Sequence, residues 1–327
     1  MHTLTSTLGA AILAAALPLS AALAQAATWP SAQVTIVVPY PPGSEPDALA
    51  RDISQALTQK TGKTIVVENR PGANAMVGTA AVARGPADGS MLLLVDRLSL
   101  VTNPLLYDKV AYDWKQDLKP VTDLAEVQLY VAVNSKFPAA NLREFIDYAR
   151  ANPGKINVGT GGNGHVTHIG MEMLARAEGV TWNYIPYKGI VPAAIDTVGG
   201  QVDAFMAGGL VMAPHRASGG IKVLAVGAKT RNDFMADVPT LEQAGGKAGT
   251  IPATYFSLFA PAAVPDPVIA QIRDHVADAL TQDKLRNTYE ARGLVIGASQ
   301  PADMRAAMQH DETRYRDLIK AAGITVQ

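Results

Sequence analysis

The feature that most constrains the fold of this chain is a repeated alternation of short apolar runs, loops rich in glycine and proline, and amphipathic segments. The β-branched run Val34–Val38 leads into the loop Tyr40–Asp47, which is stiffened by three prolines. Leu49, Ile53 and Leu57 then recur at the four-residue spacing of an amphipathic helix. Further strands of this series are predicted at Ile65–Val67 and Met91–Val95. Such alternation predicts a parallel sheet that is covered by helices.

A second series of the same kind begins near Leu129, and a length of 327 residues suits two lobes with separate cores. The strands predicted from this point on are Leu129–Val133, Ile156–Val158, Trp182–Ile185, Val202–Met206, Lys222–Val226 and Thr254–Ala260. Helices are predicted around Leu142–Ala149, Val166–Ala177, Val268–Ala279 and Met304–Leu318. The sequence therefore predicts an α/β protein.

The charge balance and the lack of cysteine exclude several classes of function. Lys and Arg together number 28 and Asp and Glu together number 29, which gives no general attraction to nucleic acid or anionic lipid. Without cysteine, disulfides, thiolate metal ligands and thiol catalysis are impossible. Any preference for a charged ligand must come from a local site.

The first 26 residues predict a signal peptide for export. They contain no Lys, Arg, Asp or Glu, are apolar between positions 8 and 17, and end in closely spaced alanines. Cleavage after Ala24 or Ala26 would leave Gln25 or Ala27 as the mature N-terminus. A membrane anchor is the alternative, but Pro18 interrupts the stretch before it reaches the roughly 17 to 25 apolar residues that span a bilayer.

Three strand-to-helix loops carry the chemistry of a ligand site, because ligands of open α/β sheets bind where loops lead into helix N-termini. The segment Ser44–Asp47 fits a capping box, and the amide N–H groups around it would suit a carboxylate. The loop Asn69–Gly78 has the same construction. The loop Gly159–His165 has four glycines in its first six residues, which permit close approach of the backbone to a ligand. Each loop alone could equally be a rigid turn.

The third loop also fits two other kinds of site less well. Gly159–Gly164 satisfies G-x-G-x-x-G, but the stretch Tyr184–Gly189 lacks the acidic residue that a dinucleotide site needs there. His165, His168 and Glu172 could share one helix face as metal ligands, but no fourth ligand is evident. We therefore predict neither a nucleotide cofactor nor a metal.

Arg97 directly follows the third predicted strand and has two interpretations. Its guanidinium could clamp a second carboxylate of a ligand in the cleft. Alternatively, Arg97 could pair with Asp96 on the surface or across a hinge. The sequence does not decide between them.

Taken together, these segments resemble the substrate-binding proteins of tripartite tricarboxylate transporters, the Bug family of periplasmic receptors. The resemblance spans nearly the whole chain after the signal peptide, and the order and spacing of the motifs make it specific. The matching segments are Val37–Gly43 with Asp47 and Ala50–Arg51, Val67–Ala73, Asn163–Gly164 with His168 and Glu172, Pro186–Gly189, Gly199–Asp203, Leu224–Val226 and Val238–Leu241.

The resemblance implies a type II periplasmic binding protein fold, in which two α/β lobes are joined by two crossover strands with a ligand cleft between them. Residues 27–124 and 253–327 are expected to form lobe 1, and residues 125–252 to form lobe 2. The family typically holds a carboxylate through backbone amides of the first two loops and ordered water. The ligand-binding residues implied here are Tyr40, Gly43, Ser44, Ala73, Asn74, Gly162, Asn163, His165 and Tyr187, while Asp47, Lys188 and Asp203 are expected to be structural.

The function implied is that of a monomeric periplasmic receptor, not an enzyme, without a cofactor and without stable insertion into the membrane. It would capture a small organic carboxylate, such as a dicarboxylate, an amino acid or an aromatic acid. Its partner would be a membrane permease with one large and one small subunit. Two alternatives stay open: a ligand-sensing partner of a periplasmic sensor domain, and a periplasmic enzyme that uses His165 or Glu172.

The chain departs from the family at positions that bear on the ligand. Ser44 stands where the family usually has glycine, and His165 where serine is common. Glu45 and the Asp96–Arg97 pair stand where small neutral residues are usual. A carboxylate at Glu45 would repel an anion nearby, unless it faces solvent or pairs with a cationic group on the ligand. We therefore expect either a zwitterionic or amine-bearing acid, or a dicarboxylate whose far end meets Arg97.

Overall fold

The computed structural model describes residues 29–30, 33–251 and 254–324, which form two α/β lobes. The predicted signal peptide, residues 1–26, lies outside the described residues. The strands are β1 (Val34–Val38), β2 (Ile65–Asn69), β3 (Met91–Asp96), β4 (Leu118–Val127), β5 (Leu129–Asn134), β6 (Asn157–Thr160), β7 (Asn183–Pro186), β8 (Ala204–Gly208), β9 (Ile221–Val226), β10 (Thr254–Pro261) and β11 (Leu294–Ile296).

Helices connect most of these strands, as the alternation in the sequence predicts. They are α1 (Glu45–Thr61), α2 (Met76–Ala83), α3 (Arg97–Leu106), α4 (Trp114–Asp117), α5 (Leu142–Ala151), α6 (Val166–Glu178), α7 (Ile190–Gly199), α8 (Gly209–Ala217), α9 (Asp266–Leu280), α10 (Asp283–Glu290) and α11 (Pro301–Ala322). Each strand predicted from the sequence is present, with its ends shifted by at most two residues.

The sheet of the first lobe has the strand order β11-β4-β10-β3-β1-β2. As predicted, β1 is parallel to β2 and to β3. However, β10 is antiparallel to β3 and β4, and β11 is antiparallel to β4. The prediction of a parallel sheet is therefore wrong for the part of the sheet that contains β4, β10 and β11. In this part β10 brings the chain back from the second lobe and runs in the opposite direction to its neighbours.

The sheet of the second lobe has the order β7-β6-β8-β5-β9. Its core is again parallel, because β6 pairs in parallel with both β7 and β8. β5, which enters from the first lobe, is antiparallel to β8 and β9. Both sheets are therefore mixed, and in each a strand that carries the chain between lobes, β10 or β5, is antiparallel to its neighbours.

The chain passes between the lobes twice, next to the gap that separates the two sheets. β4 ends at Val127 in the first sheet, and β5 begins at Leu129 in the second. The chain returns after β9, and β10 begins at Thr254. These passages correspond to the two crossover strands implied by the resemblance. β4 ends at Val127, three residues after the predicted limit of lobe 1 at residue 124. The lobe limits given above stay a prediction.

Amphipathic helices cover the sheets with the faces that the sequence predicts. Leu49, Ile53 and Leu57 of α1 are at most 1% exposed. Phe145 of α5 and Ile272 of α9 are fully buried. Burial of each such side chain contributes about 1.5 to 3 kcal/mol relative to leaving it exposed, so these faces fix the helices against the sheets.

The ten-residue strand β4 is the main element that the sequence did not predict. Lys119, Pro120, Asp123 and Glu126 interrupt the apolar run by which a buried strand is normally recognised. Nevertheless most of β4 is buried, because β10 pairs along one of its edges and β11 along the other. The position of this strand in the sheet, and not its composition, makes it a strand.

Candidate functional site

A cleft of about 460 Å³ lies between the two lobes, within the range of about 300 to 1,000 Å³ that is typical of small-molecule sites. Loops and helix starts of both lobes line it. Of the predicted ligand-binding residues, the cleft brings together Tyr40, Gly43, Ser44, Asn74 and His165. The predicted residues Ala73, Arg97, Gly162, Asn163 and Tyr187 are not among the lining residues.

Among the described helices, α1, α3, α6, α7 and α8 begin at this cleft. Their first residues or N-caps that line it are Glu45, Asp96, His165, Ile190 and Gly208. The N-terminus of a helix has unpaired N–H groups and carries the positive end of the helix dipole, equivalent to about half an elementary charge. The cleft is therefore an environment that favours an anion.

Asp47 fixes the loop that precedes α1. Its carboxylate accepts the backbone N–H of Gly43 at 2.8 Å and the side-chain amide of Asn69 at 2.8 Å. The predicted capping box is wrong in its pairing, because the Ser44 hydroxyl donates to the Pro41 carbonyl at 2.7 Å and makes no cap to α1. Asp47 instead binds the amide one residue before the N-cap. It thus has the structural role expected for it.

The loop that precedes α2 contains three consecutive residues in the left-handed region. Ala73, Asn74 and Ala75 have φ values of 46°, 48° and 70°. For residues other than glycine this conformation costs on the order of 1 to 2 kcal/mol each. Asn103 holds the turn, since its side chain donates to the Asn74 carbonyl at 2.9 Å and accepts from the Asn74 amide group at 2.7 Å. Backbone strain of this kind is concentrated at ligand sites.

Asp96 caps α3 and lines the cleft, a role that the sequence analysis missed. Its carboxylate accepts the backbone N–H groups of Leu98 and Ser99 and the hydroxyl groups of Ser99 and Thr254. The N–H of Asp96 donates to the Tyr40 hydroxyl at 3.0 Å, and burial raises the pKa of that phenol, so Tyr40 stays neutral. The sequence signal was an acid directly after a strand with a serine three residues later, as at many helix starts.

His165 caps α6 and is one of the residues that line the cleft. Its Nδ1 accepts the backbone N–H of Thr167 at 3.3 Å and lies 3.0 Å from the Thr167 hydroxyl, which itself accepts the N–H of Gly161. Burial lowers the pKa of His165, so the ring is neutral near pH 7. A neutral ring whose Nδ1 accepts must carry its proton on Nε2. His165 can therefore donate one hydrogen bond to a ligand.

Gly161 explains part of the glycine-rich sequence of this loop. A Cβ atom at this position would lie 2.5 Å from Nδ1 of His165, so only glycine allows the ring to pack there. Gly162 has a φ of 122°, which also favours glycine. Asn163 is exposed to solvent, and the Tyr187 hydroxyl donates to Asp196 at 2.7 Å. Gly161 and Gly162 therefore permit the backbone path of the loop around His165.

The residues considered as metal ligands have separate partners. His168 Nδ1 accepts the backbone N–H of Gly164 at 3.1 Å. Glu172 pairs with Arg176 at 2.7 Å and accepts the hydroxyl of Tyr184 at 2.8 Å. Within residues 33–251 and 254–324, no cluster of three or more His, Asp or Glu side chains could hold a metal ion.

The prediction that Arg97 reaches a ligand is not supported by its position. Its guanidinium lies 2.9 Å from Asp123 and 3.7 Å from Asp311, and it stacks over the ring of Tyr255 at 4.3 Å. Asp123 also accepts the hydroxyl of Ser257. The side chains of Arg97 and Asp123 are only 8% and 11% exposed. Arg97 therefore joins α3 to β4, β10 and α11, and the alternative pairing with Asp96 does not form because Asp96 caps α3.

Glu45 is an acidic side chain of the cleft that has a carboxylate oxygen without a hydrogen-bond partner. Its Oε1 is buried and has no hydrogen-bond partner. Burial raises the pKa of Glu45 to about 7, although the positive charge of Arg292 lowers it in part. Among the described residues that line the cleft there is no Lys or Arg, and the remaining walls are mostly apolar, with Val191, Leu210 and Phe256 as examples.

Comparison with known proteins agrees with this geometry. Residues 49–324 match the model of the family described as tripartite tricarboxylate transporter family receptor. The structure of Rpa4515 of R. palustris with adipate is 30% identical, with a TM-score of 0.82, over 91% of this chain and 99% of that chain. The periplasmic binding protein BugD is 29% identical, with a TM-score of 0.78, over 91% and 100% of the two chains. MatC of Rhodopseudomonas palustris with bound malate is 28% identical, with a TM-score of 0.77, over 89% and 100%.

The chain belongs to the tripartite tricarboxylate transporter receptor family, whose members are periplasmic solute-binding proteins. The expected type II periplasmic binding protein fold is thereby confirmed. No helix in the part of the chain that the structure describes is long and apolar enough to cross a membrane.

Replacing Asp123 by Asn should destabilise the fold strongly, because it leaves the buried guanidinium of Arg97 without its closest counter-charge. We expect the free energy of unfolding in urea to fall by about 3 kcal/mol or more. Asp274→Asn, which removes an ion pair of Arg273 whose carboxylate is 69% exposed, should cost less than about 1 kcal/mol. Equal effects of the two substitutions would show that the Arg97 pair is not a structural element.

Replacing Glu45 by Gln should stabilise the ligand-free protein in a pH-dependent way. The pKa of Glu45 is near 4.5 in the unfolded chain and about 7 in the folded protein, so the folded protein binds the proton of this carboxyl more tightly. The stability that the bound proton contributes is therefore lost as the pH rises from about 4.5 through about 7. Relative to Glu45→Gln, the wild type should therefore lose about 2 kcal/mol between pH 5 and pH 8, measured by chemical unfolding. The exposed Glu242→Gln should show no such trend, and a flat difference for Glu45→Gln would contradict the burial of this carboxylate.

Proposed function

We propose that this protein captures a small organic carboxylate in its interlobe cleft and delivers it, as a monomer, to the permease subunits of a tripartite tricarboxylate transporter. The observation that carries the proposal is the convergence of helix N-termini from both lobes on one cleft. These N-termini can hold an anion in a cleft whose described lining residues include no Lys or Arg. The relatives with adipate and with malate support a carboxylate as the class of ligand.

Donors for the carboxylate would come from three places in the cleft. The N-terminus of α1 lies in the first lobe, with the turn around Asn74 next to α2. In the second lobe, the Nε2–H of His165 stands at the start of α6. Hydrogen bonds from such donors to a charged acceptor contribute about 1.5 to 3 kcal/mol each. Three sites of contact on two lobes would make binding depend on both.

Capture would proceed by hinge closure, in which the lobes shut over the ligand and exclude water. The lobes already meet where Phe234, which follows β9, packs against Gly293, which precedes β11. A Cβ atom at Gly293 would lie 2.7 Å from the Phe234 ring, and its φ of 84° also favours glycine. This close contact beside the cleft would guide the two lobes during closure.

Carboxylate binding can be tested by thermal shift, followed by calorimetry, with dicarboxylates, amino acids and aromatic acids. We expect at least one acid to raise the melting temperature of the wild type. His165→Ala should weaken its binding by roughly tenfold or more, because a hydrogen bond to a charged group is lost. His310→Ala, which changes an exposed histidine of α11, should leave affinity unchanged. The proposal fails if no acid binds, or if the two variants bind equally well.

Export is proposed to depend on residues 1–26. When the full chain is expressed in a Gram-negative host, the protein in the periplasmic fraction should begin at Gln25 or Ala27, as read by mass spectrometry of the intact protein. A chain that lacks residues 2–26 should stay in the cytoplasm. Recovery of the uncleaved chain in the membrane fraction would instead support the anchor alternative.

A further inference from the structure

The cleft contains two carboxylates, and their hydrogen bonding differs. Asp96 accepts four hydrogen bonds from the start of α3 and from Thr254, so its oxygens already have partners within the protein. Glu45 lies at the first position of α1, and its buried Oε1 has no partner. A buried polar atom without a hydrogen-bond partner destabilises the protein, and more so when the group is charged. Such an atom in a binding cleft points to a partner that the ligand brings.

Nearby protein groups do not supply this partner. The positive charge of Arg292 acts on Glu45, but Arg292 does not donate a hydrogen bond to Oε1 of Glu45, and its guanidinium lies 5.3 Å from the centre of the Tyr289 ring. The Tyr289 hydroxyl donates to Asp52 at 2.7 Å and is therefore occupied. The other groups of the cleft that can carry charge are Asp96 and the two histidines, of which His165 is neutral.

We propose that Glu45 selects the ligand, and that the acid bound by this protein also carries an ammonium group that pairs with the Glu45 carboxylate. This inference rests on the proposed function, because it assumes that a carboxylate occupies the same cleft. Of the three donor sites named above, the turn around Asn74 and the Nε2–H of His165 would then hold the carboxylate of the ligand, and its ammonium group would lie at Glu45 beside the start of α1. The apolar body would lie between Val191 and Leu210 on one side and Phe256 on the other, all of which line the cleft.

Charge balance favours this class of ligand over a diacid. A diacid would place a second negative group in a cleft that already holds the Glu45 carboxylate, with no Lys or Arg among its described lining residues. Arg97, the one cation that the sequence offered for a second carboxylate, is paired with Asp123. A zwitterion adds no net charge, and its ammonium group supplies donors to the Glu45 carboxylate. The preference for a zwitterion therefore depends partly on repulsion between the Glu45 carboxylate and the second carboxylate of a diacid.

The test compares ligands that differ only at one end. One set is 6-aminohexanoate, hexanoate and adipate, and a second is phenylalanine with 3-phenylpropanoate and leucine with 4-methylpentanoate. Calorimetry with the wild type should show that at least one amino acid binds about 30-fold or more tightly than its partner without the amine. In Glu45→Gln that preference should fall to within a few-fold, while the partner acid should bind as well as before or better.

Matched controls separate the possible outcomes. Glu242→Gln, at an exposed position, should keep the wild-type preference, and circular dichroism should show that both variants are folded. If hexanoate, adipate or 3-phenylpropanoate binds the wild type as tightly as the amino acids do, the inference is overturned and the proposed function stands. The same holds if Glu45→Gln keeps the full preference for the amine. If no acid of any kind binds, the proposed function itself fails.

Discussion

The positive ends of helix dipoles from two lobes face one gap, and the properties of the cleft depend on this arrangement. In each lobe the parallel strands run toward the same edge of the sheet, so the helices that follow them start at that edge. The two crossover passages bring these edges together. The resulting field favours an anion without Lys or Arg among the described lining residues. The same N–H groups stabilise the Asp96 carboxylate in the cleft, because those at the start of α3 donate hydrogen bonds to it.

Adjacent residues at the end of β3 divide two structural tasks. Asp96 turns toward the cleft and caps α3, whereas Arg97 turns away and holds Asp123 of β4 and Asp311 of α11. β4 and β10 are the strands that leave and re-enter the first lobe, so this buried charge network ties the two crossover strands to the body of that lobe. Hinge closure requires each lobe to move as a rigid unit, and the network makes the first lobe more rigid where the crossover strands join it.

Two features of the cleft oppose the stability of the ligand-free protein. The left-handed turn at Ala73–Ala75 places three residues in an unfavourable backbone conformation. Glu45 keeps a buried oxygen without a partner. Asn74 of this turn and Glu45 both line the cleft. Proteins commonly retain such local destabilisation where binding needs a preorganised surface.

The sequence by itself predicted nine of the eleven strands in the described part of the chain, the helices α1, α5, α6, α9 and α11, and the three loops, because apolar periodicity and glycine or proline punctuation are local properties. The family resemblance implied nine ligand-binding residues, and the structure places five of them in the lining of the cleft: Tyr40, Gly43, Ser44, Asn74 and His165. Only the tertiary structure decided that β4 is a strand, that Arg97 faces inward and that Asp96 faces the cleft. The physical reason is that the partners which settle these roles, such as Asp123, Asp311 and Thr254, lie far away in the chain and meet these residues only once the two sheets have formed.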